Sequence, residues 1–507
     1  MQENIGTSGW VGTAVELMSG LFLAVAGLIT VVVVVVFIYD VTQTKKAILR
    51  NFPVIGHFRY MFEHMGEFFR QYFFAMDREE LPFDRAQRSW AYRAAKDLKN
   101  TVAFGSTKDI REPGSVAFVH CPFPTLDQDA APMTAMVIGP DCEHPFTAHS
   151  FLNISGMSYG AISQPAILAL SNGARRVACW MNTGEGGLSP YHLQGGADIV
   201  YQIGTAKYGV RDFNGDLSDE KLREMADHEK VRMFEIKLSQ GAKPGKGGIL
   251  PGVKVTAEIA AIRGIPVNED SISPNRHVDI TNVSDLLDMI SRIRKVTGKP
   301  VGFKTVLSGS GWLDDLFQAV WERGVESAPD FITVDGADGG TGAAPMPLMD
   351  DVGLPLTESL PMLIDKLIEY GLRSRVRVIA SGKLITPTRV AWALCAGTDF
   401  ITSARGFMFS LGCIQAMQCN QNTCPTGITT HNKRLQKGLD PSRKEIRVAN
   451  YHNNLIHEVC IIAHSCGVKK PRELNRSHAR IVIGNGLSTP MDQMFPEPQA
   501  RYHIDTD

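Results

Sequence analysis

The chain has 507 residues, with 52 basic and 53 acidic side chains and a formal net charge of −1. This length allows one large domain with extensions, or two domains with accessory segments, around a sizeable core. Because no basic field surrounds such a chain, nucleic acid is not an expected partner. The 47 glycines gather in short clusters at 184–187, 245–248 and 336–342, which indicates backbone that approaches a ligand closely.

A long apolar segment stands near the amino terminus, after a short leading segment over residues 1–20. Residues 21–39 carry no charge, include six consecutive valines and can span a bilayer core. A cleaved signal peptide is the alternative, but no Lys or Arg precedes the segment and no clear cleavage site follows it. Basic residues follow the segment while Glu3 and Glu16 precede it. The positive-inside rule therefore predicts a single-pass membrane protein with a cytoplasmic catalytic domain, where disulfides are rare.

Residues 40–145 are predicted to form a juxtamembrane and amino-terminal extension rich in helix. Aromatic and scattered basic residues recur between Phe52 and Phe74. This composition fits either a helix that lies on the membrane or a helix packed on the domain surface, and periodicity does not decide between them. Residues 76–141 are predicted to be irregular.

From residue 146 the pattern changes to short apolar runs that end in glycine-rich or polar turns. The predicted strands are Leu152–Ser155, Ala178–Asn182, Ile199–Gln202, Met233–Leu238, Val301–Val306, Phe331–Val334, Val376–Ala380 and Phe400–Ser403. The helical patterns between them include Val283–Val296, Leu313–Arg323, Glu358–Tyr370 and Pro387–Ala396. Such alternation predicts an α/β fold, namely a (β/α)8 TIM barrel over residues 146–433 with its site at the carboxyl ends of the strands. A doubly wound open sheet is the alternative.

The residues after the predicted strands are of the kind that bind ligands. They include the segments 156–163, 182–187, 237–243 and 335–342. The last two strands end at Gly382-Lys383 and Ala404-Arg405, where barrels commonly hold a phosphate, so a phosphate-bearing cofactor is predicted. Glycines that merely form tight turns are the alternative. Neither a dinucleotide fingerprint nor a Walker motif is present, which argues against NAD or ATP. Lys304 would place a positive charge against a reduced flavin, with a salt bridge in the barrel mouth as the alternative.

Cys413, Cys419 and Cys424 lie within twelve positions, in the loop 412–425, whereas the other six cysteines are scattered singly. Soft sulfur donors suit an iron–sulfur cluster, and the missing fourth ligand favours a three-iron type. A disulfide with a spare thiol, a zinc knuckle that borrows a distant ligand, and chance are the alternatives.

Residues 434–507 are predicted to form a C-terminal helical extension. A basic linker leads into an amphipathic helix around Val448–His464, which is expected to pack under the barrel. Cys460 and Cys466 lie on its apolar side and after it, and isolated cysteines of this kind are usually core residues rather than metal ligands.

Taken in order, these motifs resemble the FMN-binding synthase domain of the glutamate synthase family, and more closely its short, stand-alone members. The motifs are Ser155–Ser163, Asn182–Gly187, Gln240–Gly245, Asp338–Ala343 and the cysteine run, within about residues 150–433. The resemblance implies a (β/α)8 barrel that holds FMN, with a [3Fe-4S] cluster at the three cysteines of the loop 412–425. It further implies that electrons pass from the cluster to FMN. The reduced flavin would then deliver hydride to the imine of 2-oxoglutarate and ammonia, which gives L-glutamate.

The resemblance also implies roles for individual residues. Met157, Ser158, Asn182, Gln202 and Lys304 would surround the flavin ring, Gly339 and Gly340 would contact the cofactor, and Gly382, Lys383, Ala404 and Arg405 would hold its phosphate. Gln240, Lys243 and Arg263 would bind the oxoacid, since two cations match two carboxylates. Glu185, Lys243 and Lys304 are the expected catalytic residues. A turn-stabilising hydrogen bond is the alternative role for Glu185.

The chain departs from the family pattern in three ways. Ile249 stands where the large enzymes carry a glutamine that helps to bind the oxoacid, and a polar substrate group left unpaired costs about 1–3 kcal/mol. The chain begins Met1-Gln2, without the cysteine nucleophile of the family's glutaminase domain, so ammonia is expected from solution or from a partner. No pyridine-nucleotide domain is attached, so an external electron donor is expected, such as ferredoxin, a reductase or a membrane carrier.

Two classes of function follow. The first is a membrane-anchored glutamate synthase, an oxidoreductase acting on CH–NH2 donors, or an amine-forming relative that uses another oxoacid. The second is a membrane-anchored FMN and iron–sulfur electron-transfer protein without amino-acid synthesis, which Ile249 and the anchor favour. The sequence leaves the oligomeric state open, including a homo-oligomer.

Overall fold

A computed structural model of the chain describes residues 6–504, which divide into two compact units on either side of the Ala86–Gln87 bond. The first five residues of the predicted leading segment 1–20, and the last three of the predicted extension 434–507, lie outside the described residues. The first unit is helical. Its elements are the helices Gly6–Thr42, Ala47–Asn51 and Gly56–Phe69 and the π-helical turn Arg70–Phe74.

The helix Gly6–Thr42 contains the predicted span 21–39 but begins earlier than the sequence predicts. Within Gly9–Thr42 its most apolar window has a mean hydropathy of 3.2 and is wholly unburied, so its length and composition allow it to cross a membrane. A signal sequence satisfies the same criteria. Near the helix end, Asp40 accepts hydrogen bonds from Val54 N at 2.8 Å and from His57 Nε2 at 3.0 Å, which folds the chain back into Gly56–Phe69.

The second unit is built around a closed barrel of eight parallel strands. The strands are β1 Leu152–Ile154, β2 Met181–Asn182, β3 Ile199–Ile203, β4 Val231–Lys237, β5 Val301–Thr305, β6 Phe331–Asp335, β7 Arg377–Ser381 and β8 Phe400–Ser403. Each strand pairs with the next, and β8 pairs with β1. The predicted (β/α)8 barrel is confirmed, and the open sheet is excluded because the strands close into a ring.

Helices follow the strands, and most of them cover the outside of the barrel, whereas Ala257–Arg263 lies at its mouth. They are Gln164–Arg176, Pro190–Gln194, Asp219–Asp227, Ala257–Arg263, Val283–Thr297, Gly311–Arg323, Met346–Met349, Leu356–Glu369, Pro387–Cys395 and Arg405–Leu411. Val283–Thr297 shows why they form where they do. Asn282 caps its first turn by accepting from Asp285 N, Leu286, Leu287 and Ile290 are buried on one face, and Gly298 ends it at φ +66°.

An antiparallel hairpin closes the amino-terminal end of the barrel. Its strands, Met136–Ile138 and Phe146–Ala148, bring Ile138 and Phe146 into one buried cluster with Trp180, Phe331 and Phe400 from the barrel. The rings of Trp180 and Phe400 meet edge to face with centroids 5.0 Å apart. Because this end is filled by apolar side chains, a ligand site is left to the opposite end, where the strands finish.

The extensions differ from the prediction. The preamble contains the helix Arg85–Ala95, and its strand Val116–Phe118 pairs with Ala479–Gly484, which pairs with Leu487–Pro490. The predicted C-terminal helix runs over Pro441–Ser465, so it begins within the expected linker, and the chain after it is mostly strand and irregular. This helix packs beside the barrel against Gln164–Arg176 rather than under it: a Cβ on Gly173 would lie 2.4 Å from Val448 Cγ1. Cys466 is buried and Cys460 half-buried.

Short elements complete the described chain. They are the strand pair Ile249–Leu250 and Ser271–Ile272, the helices Lys433–Gln436 and Met491–Met494, and the 3-10 turns Asp127–Asp129, Gly252–Lys254, Val325–Ser327, Pro471–Glu473 and Arg476–His478. The strand pair and the turn Gly252–Lys254 both belong to the long connection after β4, which lies at the end of the barrel where the strands finish.

Candidate active site

Glu185, in the turn after β2, is the centre of a charged group at the barrel mouth. Its Oε1 accepts a hydrogen bond from Lys237 Nζ at 2.9 Å, and the same ammonium donates to Gln240 Oε1 at 2.9 Å. Burial raises the pKa of Glu185, but the charges of Lys237, Lys243 and Arg263 outweigh burial, so the pKa is lowered and the group is a carboxylate at neutral pH. Its bonded partner in the described chain is Lys237, rather than the backbone of the turn.

Lys243 enters this group from the loop after β4. Its side chain is buried, with 2% of the residue exposed. Burial lowers the pKa of Lys243 to about 8, the charge of Lys237 acts in the same direction, and Glu185 opposes both. The ammonium makes no ion pair within 4.0 Å among the described residues, because Lys237 takes Glu185. Lys243 therefore presents a buried cation that remains available to an anionic ligand.

Arg263 approaches the same place from the last turn of the helix Ala257–Arg263. Its guanidinium donates to Ser271 Oγ at 3.1 Å, to Tyr159 O at 3.2 Å and to Ser158 Oγ at 3.5 Å. The residue is 5% exposed, and its Nε is buried without a hydrogen-bond partner. Arg263 is thus fixed against the loop after β1, with one donor unused.

Lys304 on β5 forms an ion pair with Asp335 on β6, with the two atoms 3.1 Å apart. Burial disfavours the charge on Lys304, but Asp335 and Glu235 outweigh burial and raise its pKa. Asp335 also accepts a hydrogen bond from Gly241 N at 2.9 Å, so the same carboxylate orders the loop that leads to Lys243. The salt bridge considered for Lys304 is therefore formed, and it keeps Lys304 charged.

Glu235 fills the barrel interior below the mouth. It accepts hydrogen bonds from Asn182 Nδ2 at 2.8 Å, Gln202 Nε2 at 2.6 Å and Thr333 Oγ1 at 2.6 Å. A small cavity is lined by Glu235, Asn182, Thr333 and Lys304. The two amides predicted to face the flavin are thus held in place from beneath by one carboxylate.

Two further cations stand at the ends of β7 and β8. Arg405 Nη2 donates to Asp338 O at 3.3 Å, and a Cβ on Gly340 would lie 2.7 Å from the guanidinium carbon of Arg405. Burial lowers the pKa of Arg405 to about 10, which leaves it charged at neutral pH. Lys383 follows Gly382, which has φ +135°. The Lys383 ammonium is attracted by Asp338 and repelled by Arg405. Cations beside a glycine run, next to Ala404, fit the demands of a phosphate group.

The cysteine loop lies against this mouth. The Cβ of Cys419 is 4.0 Å from the position that a Cβ on Gly342 would take. Ser163, in the loop after β1, donates through Oγ to Gly427 O at 2.7 Å and through its amide to Ile428 O at 2.8 Å. The loop that carries the predicted flavin contacts Met157 and Ser158 is therefore bonded to the segment that carries the cysteines.

The three thiols influence one another. Burial raises the pKa of Cys413 to about 12, and the charges of Cys419 and Cys424 add to this. Burial also raises the pKa of Cys424, but hydrogen bonds outweigh it, including one from Thr426 Oγ1 at 3.3 Å, and the pKa is lowered. All nine cysteines are free, so the disulfide alternative has no support.

Among the described residues no group of three His, Cys, Asp or Glu is placed to hold a metal ion. Thiolates that bind one metal ion, each with a metal–sulfur distance of about 2.3 Å, must lie closer to one another than thiolates that bind a cluster of several iron atoms. The donor set, three soft thiols on one loop, fits an iron–sulfur cluster, which stays a prediction.

The structure thus brings the predicted residues into three neighbouring places. The charged group at the mouth contains Glu185, Gln240, Lys243 and Arg263. The ends of β6 to β8 carry Gly339, Gly340, Gly382, Lys383, Ala404 and Arg405. The remaining predicted residues lie on or after β1, β2, β3 and β5, namely Met157, Ser158, Asn182, Gln202 and Lys304. The sequence analysis included Lys237 and Asp335 only within the strand-end segments 237–243 and 335–342, and it did not name Glu235. A signal for Glu235 was present, since it places a carboxylate between the apolar residues Phe234 and Ile236 of the strand Val231–Lys237.

Comparison with known proteins decides the family. The conserved region in glutamate synthase matches residues 106–469 of this chain, which is more than half of it. The chain belongs to the glutamate synthase family. The predicted resemblance to glutamate synthase is thereby confirmed, and the matched region covers the barrel, the cysteine loop and the helix Pro441–Ser465.

Two relatives within the glutamate synthase family differ in how much they share. The glutamate synthase large subunit-like protein YerD of Bacillus subtilis (strain 168) is 38% identical over 495 residues, which cover 90% of this chain and 94% of that protein. The archaeal glutamate synthase (NADPH) of Methanocaldococcus jannaschii is 36% identical over 338 residues, which cover 66% of this chain but only 62% of that protein. Among solved structures, a mutant of an active chimera of (S)-mandelate dehydrogenase has a TM-score of 0.48 at 12% identity, covering 78% of this chain and 98% of that one. A similarity of that size says nothing about activity.

Proposed function

We propose that this chain is a membrane-anchored oxidoreductase of the glutamate synthase type, which forms L-glutamate by reductive amination of 2-oxoglutarate with external ammonia. The observation that carries the proposal is the charged group at the mouth, where one carboxylate, Glu185, lies among Lys237, Lys243 and Arg263. Three cations around one carboxylate leave an excess of two positive charges. A dicarboxylate substrate neutralises that excess, so this site favours one.

The chain's own residues divide the work of binding. Lys237 holds Glu185 in place and keeps it ionised, which leaves the Lys243 ammonium free for one carboxylate of the oxoacid. Arg263, whose guanidinium bonds to Ser158 Oγ and whose charge acts on Glu185, would bind the other carboxylate. Lys243, with a pKa of about 8, is also able to release a proton near neutral pH, and the reduction of an imine to an amine consumes one.

The same mouth would hold FMN, with its ring near Met157, Ser158, Asn182, Gln202 and Lys304 and its phosphate near Lys383 and Arg405. When bound, the flavin supplies hydride to the imine, and the [3Fe-4S] cluster at Cys413, Cys419 and Cys424 supplies electrons singly. Lys304 is kept charged by Asp335 and provides a fixed positive charge beside the ring. Glu235 orders the two amides from within the barrel.

The electron donor and the ammonia are external in this proposal. The donor would be ferredoxin, a reductase or a membrane carrier. The apolar helix Gly6–Thr42 would anchor the chain in the membrane with the barrel in the cytoplasm. In the segment after this helix Phe58, Phe62 and Phe73 are exposed, which favours a segment that lies on the lipid surface.

The test is glutamate formation by the purified full-length chain in detergent, loaded with flavin and with its iron–sulfur cluster. The reaction contains 2-oxoglutarate, ammonium and chemically reduced viologen, and glutamate is separated and quantified. We expect formation that requires both substrates and the reductant. If no oxoacid yields an amino acid with flavin and cluster intact, the synthase proposal is wrong.

A second candidate is an electron-transfer protein without amino-acid synthesis. Ile249 favours the electron-transfer candidate, because its side chain offers no polar group to an oxoacid. The residue lies close to the charged group: a Cβ built on the preceding Gly248 would be 2.5 Å from Glu185 Oε1. The exposed apolar helix also favours a donor or acceptor in the membrane. Flavin that is reoxidised by a quinone or a redox protein, but not by oxoacid and ammonium, would select this candidate. Turnover with an oxoacid other than 2-oxoglutarate would select an amine-forming relative.

A further inference from the structure

Lys254 is a buried lysine that the proposed reaction does not use. It ends the turn Gly252–Lys254, between the charged group at the mouth and the cysteine loop, and 2% of the residue is exposed. Its Nζ donates to Ala161 O at 2.6 Å and to Cys419 O at 3.1 Å. One ammonium therefore joins the loop after β1, which carries the predicted flavin contacts, to a cysteine of the predicted cluster.

The charges around Lys254 are unusual for a buried lysine. Within the described chain its ammonium forms no ion pair with a carboxylate. Burial lowers the pKa of Lys254 to about 8, Cys419 and Cys424 oppose that shift, and the charge of Arg263 adds to it. Burying a cation without a partner costs several kcal/mol, so buried cations are as a rule paired with anions. Its contact with the cysteine loop is the Cys419 carbonyl, and a cluster held by the neighbouring thiolates would supply the anion that the ammonium lacks.

Further hydrogen bonds hold the turn Gly252–Lys254, the loop after β1 and the cysteine loop together around Lys254. Asn422, within the cysteine loop, donates through Nδ2 to Val253 O at 3.2 Å. On the other side, His431 Nε2 bonds to Gly160 O at 2.9 Å, next to the carbonyl that Lys254 contacts. The ammonium thus has a defined place, with a fixed orientation toward both loops.

We propose that Lys254 is a positioning residue that supplies the counter-charge of the iron–sulfur cluster and fixes the cluster loop against the flavin loop. This inference rests on the proposed cluster and flavin, and it deepens that function. A thiolate-bound cluster becomes more negative on reduction. A fixed positive charge therefore stabilises the reduced form and raises the reduction potential.

The experiment compares two variants of the full-length, cluster-loaded chain. Lys254→Gln keeps an N–H donor for the two carbonyls but removes the charge, whereas Lys254→Arg keeps the charge. Lys299→Gln is the matched control, because Lys299 is also a buried lysine that donates to backbone carbonyls, at Ala226, His228 and Val231, where the barrel strands begin. The measurement is the midpoint potential of the cluster in a redox titration followed by electron paramagnetic resonance, with iron and flavin contents.

We expect Lys254→Gln to shift the cluster potential to more negative values, while Lys254→Arg and Lys299→Gln leave it near that of the wild type. If Lys254→Gln retains iron with an unchanged potential, the counter-charge role is overturned. If Lys254→Gln loses iron, retention by Lys254→Arg supports the role and loss by both variants overturns it. A shifted potential in a chain that forms no glutamate would leave this inference standing while the synthase proposal fails.

Discussion

Replacement of Lys243 by Gln tests the substrate half of the account. Lys243 is 2% exposed, and its ammonium stays free because Lys237 takes Glu185. A hydrogen bond to a charged group contributes about 1.5–3 kcal/mol, and each 1.4 kcal/mol is a factor of ten. We therefore expect kcat/KM for 2-oxoglutarate to fall about 10- to 150-fold in Lys243→Gln. The assay measures initial rates of glutamate formation with saturating ammonium and reduced viologen.

The matched control is Lys295→Gln, the same substitution at an exposed lysine in the last turn of Val283–Thr297. We expect the control to keep wild-type kcat/KM, and both variants to keep the flavin and iron contents of the wild type. If Lys243→Gln retains kcat/KM within about twofold of the control, the ammonium does not bind substrate, and the argument from the free charge is refuted.

Three further outcomes follow from the site. Burial lowers the pKa of Lys243 to about 8, so its charge is present below that pH and lost above it. KM for the oxoacid therefore rises as the pH passes through about 8, and this rise is absent in Lys243→Arg. A wild-type KM that does not change with pH would contradict this prediction. Ile249→Gln restores an amide donor and lowers KM for 2-oxoglutarate by about 2- to 10-fold, whereas an unchanged KM would show that residue 249 does not face the substrate. A chain without residues 1–42 stays in the supernatant on ultracentrifugation and keeps its viologen-linked activity, and its sedimentation with membranes would contradict the anchor.

The barrel was predictable because its strands are buried on both faces and read as apolar runs that end in turns. The largest difference lies at β2, which begins at Met181 instead of Ala178. Ala178 has φ +50°, and Cys179 N bonds back to Ala174 O at 3.1 Å. These residues therefore finish the preceding helix, a local hydrogen-bond choice that an apolar pattern does not show.

The pairings that define the site were less accessible from the sequence. Glu185, after β2, bonds to Lys237 at the end of β4, with β3 between them, and Lys304 on β5 bonds to Asp335 on β6. Both pairs therefore depend on the register of the closed barrel. Likewise, Val116–Phe118 pairs with Ala479–Gly484 from the far end of the chain, and no local signal marks such a partner. The sequence located the residues of the mouth, whereas the choice of partner needed the fold.

The measurement that tests the central claim most directly is the cofactor content of the full-length chain purified without oxygen. We expect FMN together with roughly three irons and four acid-labile sulfides per chain, and loss of the iron in Cys419→Ser with the flavin retained. A chain that folds and binds flavin but holds no iron under these conditions would contradict a redox cluster at the cysteine loop, and with it the supply of electrons to the barrel mouth.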